Sequence, residues 1–157
     1  MLISSTDPRL ERILRTLVAR SFPRLRRLRF RILWGGEDEL LAYGVRDDQY
    51  LIWVNQLLRL APVRVLEGGI GHELCHIHAD IAMGPYAREL AWTRYTESRW
   101  HRIREERAAE SRLVELGYGP HLLAFIRFTH RLGYSFSREH GLLYGEVSRA
   151  IQETRPR

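Results

Sequence analysis

The chain has 157 residues, 45% of them hydrophobic and 28% charged, enough for one domain with its own core. Its lone cysteine, Cys75, excludes an internal disulfide framework, and no apolar run approaches the ~18 residues of a membrane span. The net charge of +6, carried by arginine, decides nothing about fold but permits contact with nucleic acid or with acidic protein surfaces.

In chain order, the N-terminus shows no basic stretch followed by an apolar one, so no signal peptide is expected and the expected compartment is cytoplasmic. Asp7 and Pro8 open an amphipathic helix, one as cap and the other at the first helical position. Leu10, Ile13, Leu14, Leu17 and Val18 follow at the spacing of one helix face, and Ser21-Phe22-Pro23 ends it. Leu28, Phe30, Ile32 and Trp34 alternate with Arg27, Arg29 and Arg31, the pattern of a half-buried strand with a basic outer face. Residues 40–45 and 50–54 read as two more strands, joined by the turn Arg46-Asp47-Asp48-Gln49 into a hairpin, the latter strand apolar throughout and therefore central.

A helix is expected from Ala61-Pro62 to about Met83, where Gly84-Pro85 stops it. A long helical stretch over residues 86–116 follows, with a break near Thr96, and two shorter helices over 121–131 and 138–153 complete the chain. No repeat, low-complexity tract or long linker divides residues 1–157. The expected fold is one α+β domain: an N-terminal helix, a small, mostly antiparallel three-stranded sheet, a histidine-bearing helix, a long glutamate-bearing helix and C-terminal helices.

The chemistry concentrates in His72-Glu73-Leu74-Cys75-His76. Four-residue spacing in a helix puts both imidazoles on one face, one turn apart, so that two ring nitrogens can converge on a single zinc ion. Glu73, beside the first histidine, can reach a water held in an open coordination position and take its proton as general base. Ile70, Leu74 and Ile77 flank the motif with apolar side chains. Gly68, Gly69 and Gly71 precede it, each costing a helix about 1 kcal/mol relative to Ala. Either another backbone, from the sheet or a substrate, comes close there, or the helix starts later, near Gly71.

A catalytic zinc needs a third protein ligand. Glu106, in Glu106-Arg107-Ala108-Ala109-Glu110 on the long helix, is the leading candidate, with Glu105, Glu97 and Asp80 as competitors. Ala109 is small enough to let two helices approach, and Glu110, one turn on, can orient a ligand histidine. Gly71-His72-Glu73-Leu74-Cys75-His76 followed by Glu106-x-x-Ala109-Glu110 resembles the active site of gluzincin metallopeptidases, and the short chain is similar to their minimal members, the minigluzincins or selecase-like proteins. Where that group commonly has Ala-Asp or Ala-Asn, this chain has Ala109-Glu110. The resemblance implies zinc as cofactor, peptide or protein as substrate, and an edge strand, residues 41–45, that binds an extended peptide through its backbone.

His140 and Tyr144, one helical turn apart, are candidate donors to the oxyanion of such a reaction, against a plain reading of Ser137 as a helix cap. Cys75 reads as a small core residue, and His78 with Asp80 as a weak second metal pair; His101, His121 and His130 read as surface residues. Trp92, Tyr95 and Trp100 read as a core stripe rather than a substrate platform. Two alternatives stand beside the peptidase. The HELCH motif is also similar to SprT-like, Spartan-type proteases that act on DNA-bound proteins, and the basic residues 24–31 suit a nucleic-acid partner. The same fold can also serve as a non-catalytic metal-binding module closed by its own C-terminal segment.

Overall fold

Asp7 stands at a helix start, as its sequence context requires. Its carboxylate accepts from the Arg9 N–H at 2.8 Å, and Pro8 takes the first position of α1 (Pro8–Ser21). In this computed structural model, which describes residues 2–5, 7–36, 39–134, 141–142 and 144–154, the expected apolar face of α1 (Leu10, Ile13, Leu14, Leu17 and Val18) is wholly buried. The other Asp7 oxygen accepts the Trp34 indole N–H at 2.6 Å, which ties the start of α1 to the end of β2 (Arg29–Trp34).

The fold is α+β. Its sheet has the order β1-β2-β4-β3, with β1 at Leu2–Ser5, β3 at Leu41–Arg46 and β4 at Gln49–Val54. The expected hairpin is β3–β4, antiparallel, turning through Asp47 and Asp48 at φ 51 and 57. Paired left-handed residues give a two-residue turn the twist its flanking strands need. β4 is central and buries Tyr50, Ile52 and Val54 from alternate positions; β3 lies at the edge.

The sheet departs from the sequence reading in two ways. It has four strands rather than three, because residues 2–5 pair with β2. It is also not mostly antiparallel, since β1–β2 and β2–β4 are both parallel. Parallel neighbours require a crossover, and α1 supplies it between β1 and β2. A four-residue strand ending in two serines is too short to show an alternation of its own.

Among the described residues five α-helices follow: α2 (Val63–Ile81), α3 (Pro85–Glu97), α4 (Arg99–Leu113), α5 (Gly119–Arg131) and α6 (Tyr144–Glu153). The long stretch over 86–116 breaks at Ser98, whose hydroxyl caps α4 by accepting from the His101 N–H. α2 is the hub, packed against α1, α4, α5 and β3. It does not start late. It runs through all three glycines, and each meets a neighbour: a Cβ on Gly68 would strike the His121 backbone carbonyl of α5, one on Gly69 would lie 2.7 Å from Leu41 and 3.0 Å from Phe125, and one on Gly71 would lie 2.8 Å from Leu113. The close backbone therefore belongs to α5, and side chains of β3, α5 and α4 fill the remaining space.

Gly68→Ala sets a propensity gain of about 1 kcal/mol against a backbone clash, and overpacking of this kind typically costs about 1–3 kcal/mol. A lower urea midpoint for Gly68→Ala than for wild type is expected. Equal midpoints would refute the close approach.

Candidate metal centre

His72 and His76 project from the same side of α2, their Nε2 atoms 3.1 Å apart. Glu106 reaches them from α4: one carboxylate oxygen lies 3.1 Å from His72 Nε2 and the other 3.5 Å from His76 Nε2. These three are the group among the described residues whose ligand atoms lie close enough together, within 4.8 Å, to hold one metal ion. A tetrahedral zinc with bonds of ~2.0–2.1 Å sets its ligand atoms ~3.3 Å apart, so the spacing and the donor set both fit that ion. The helix-to-helix contact that brings Glu106 in runs over Gly71, where Leu113 of α4 fits, and over Ala109, itself buried.

The other carboxylates named from sequence go elsewhere. Asp80 accepts from the Tyr43 hydroxyl at 3.0 Å, Glu105 pairs with Arg104 at 3.2 Å, and Glu97 is exposed at the end of α3. His78 packs beside the Phe22 ring, with ring centres 6.3 Å apart, and forms no metal cluster with Asp80 among the described residues. Cys75 is buried in the core, as expected, and burial pushes its thiol up to about 12.

The electrostatics of the cluster are those of an ion pair around a cation-shaped space. Burial alone would lower the His72 pKa, but the hydrogen bond and charge of Glu106 prevail and raise it to about 9. Burial pushes Glu106 the other way from its partners, and the two histidines win, holding its carboxyl far below the usual range. Glu73 is buried beside them at 7% exposure; desolvation raises its pKa against the pull of His72 and His76. A carboxylate with raised proton affinity beside an ion site is suited to take and return a proton.

Two tyrosines missed as site residues complete the surroundings. The Tyr95 hydroxyl of α3 donates to Glu106 Oε1 at 2.6 Å. The Tyr43 ring of edge strand β3 stacks on His76, with ring centres 6.0 Å apart and planes 14° apart. Tyr95 had read as part of a core stripe, yet its companions Trp92 and Trp100 stand 55% and 79% exposed. The stripe fails because α3 buries none of its residues, and the break at Ser98 puts Trp100 on a separate helix.

The expected oxyanion donors fare differently. His140 lies outside the described residues. Tyr144 opens α6, with the Arg127 guanidinium 4.8 Å from its ring centre, and no hydrogen bond joins it to the three ligands. Glu110 is buried at 2% exposure, and among the described residues its carboxylate accepts from the Leu142 N–H rather than from a histidine ring. A Cβ on Gly141 would strike that carboxylate, so only glycine fits there, at φ 119. Arg107 adds two hydrogen bonds to Glu146, at 2.8 and 3.1 Å, so α4 holds Leu142 and the start of α6 through two residues that follow Glu106. Residues Arg24, Arg26, Arg27, Arg29 and Arg31 are all exposed.

No protein-family model matches this chain, and neither a curated protein nor a solved structure matches it.

Burial raises Glu110 to about 7. The folded chain thus holds a proton that the unfolded chain gives up near pH 4.5, and stability should fall as pH rises from there through about 7. Glu110→Gln keeps an oxygen for the Leu142 N–H and has no charge to bury. Its melting temperature relative to wild type, measured without metal, should improve by several degrees between about pH 5 and about pH 8. A constant difference would mean that Glu110 titrates normally.

Proposed function

We propose that this chain is a zinc-dependent metallopeptidase of the gluzincin kind, with His72, His76 and Glu106 as metal ligands and Glu73 as general base. The observation that carries the reading is the convergence of two imidazoles of α2 and one carboxylate of α4 at zinc spacing, with Glu73 buried alongside. A zinc ion held by His72, His76 and Glu106 would supply Lewis acidity towards a peptide carbonyl and bring the pKa of a bound water down towards ~7. Glu73 then takes a proton from the attacking water and returns it to the leaving amine, and burial sustains its proton affinity for both transfers.

The substrate reading rests on β3. This strand is hydrogen-bonded to β4 on one side only and lies at the sheet edge, and its Tyr43 stacks on a ligand histidine. An extended peptide added along that edge would run past the metal centre, held by backbone hydrogen bonds. Among the described residues no helix is long and apolar enough to cross a membrane.

Purified protein should bind about one zinc per chain, with weaker binding after His72→Ala or His76→Ala. Glu73→Gln should keep the zinc and lose peptide hydrolysis by ~10²-fold or more, the usual weight of a general base. Stoichiometric zinc with no cleavage of casein or a peptide library would instead assign the site to a non-catalytic metal-binding module.

A further inference from the structure

We propose that Tyr95 is the positioning residue of the metal centre, fixing the Glu106 carboxylate for the ion through its hydroxyl. The inference rests on the zinc reading of the site. Tyr95 donates to Oε1 of Glu106 at 2.6 Å, while Oε2 is the oxygen 3.1 Å from His72 Nε2. A carboxylate free to turn about its last bond can present either oxygen, or both, to an ion. A donor held on Oε1, which also lies 3.5 Å from His76 Nε2, removes that freedom and leaves Oε2 facing His72. Hydrogen bonds to ligating carboxylates of this kind set affinity as well as orientation.

The packing of α3 supports the assignment. None of its residues is buried, and its packing partner is α4, the helix that carries Glu106. A helix without core residues gains little from apolar burial, so what it contributes must be sought in the polar groups it delivers. Tyr95 is half-buried, at the inner side of α3, and its ring is backed by Trp92, with centres 5.9 Å apart and planes 12° apart. The exposed indole thus holds the phenol in place from the solvent side. Tyr43 of β3 stacks on the His76 ring, so the carboxylate and one imidazole are each contacted by a tyrosine from a different element.

Zinc affinity, read by competition with a chromophoric chelator, tests the role in four proteins: wild type, Tyr95→Phe, Glu106→Ala and the double variant. Tyr95→Phe removes one oxygen from a half-buried site, and the metal-free variant should still fold and melt cooperatively. Its zinc affinity should fall ~10-fold or more, within the range seen when such hydrogen bonds are lost. In the Glu106→Ala background the same change should have no further effect, because nothing remains for the hydroxyl to hold. An affinity within about twofold of wild type, or an equal loss with and without Glu106, overturns the assignment. Absence of zinc binding by the wild type overturns the zinc reading itself, and Tyr95's role with it. Tight wild-type binding with an unaffected Tyr95→Phe removes only the tyrosine.

Discussion

The structure depends on one constraint: α2 has to be enclosed by four neighbours while still presenting two imidazoles and a carboxylate to a common space. A helix with ordinary side chains all round would hold those neighbours several ångströms away. Gly68 admits the α5 backbone, Gly69 admits Leu41 and Phe125, and Gly71 admits Leu113 of α4. That last contact matters most for the site, because α4 has to come close for Glu106 to reach across. The helix-propensity cost of the three glycines, about 1 kcal/mol each, is offset by the core that their absence of side chains lets form.

The cluster assembled this way is electrically balanced without a metal. His72 carries its proton up to about 9 because Glu106 faces it, and Glu106 stays ionised because the histidines face it. Metal ligands must be deprotonated, so an ion bound there would take the place of that proton and face the carboxylate. The same arrangement explains why Glu73 and Glu106, two nearby acids, differ. Glu106 is paired with both imidazoles at hydrogen-bonding distance, whereas burial dominates at Glu73. One is suited to hold a cation and the other to carry a proton.

How much of this was legible in the sequence follows from the range of each interaction. The α1 face, the β3–β4 hairpin and the His72–His76 pair are set by local periodicity and turn chemistry, and all three are found as read. Glu106 was legible as a helix carboxylate, with competitors that only packing removes: Asp80 is taken by Tyr43, and Glu97 faces solvent. β1 was not legible, because its pairing with β2 spans a whole helix and its four residues carry no pattern. Tyr43 and Tyr95 were not legible as site residues, because an aromatic side chain reads as core until its hydroxyl is seen to have a partner. Glu110 was expected to steady a histidine, and it instead receives a backbone N–H from Leu142, a contact 32 residues away that no local spacing encodes.

The central claim is that three side chains from two helices form one metal site. Anomalous diffraction at the zinc edge from crystals grown with zinc tests it most directly. The account predicts a single strong peak within bonding distance of His72 Nε2, His76 Nε2 and a Glu106 oxygen. A peak held by other residues, or none at these three, would contradict it.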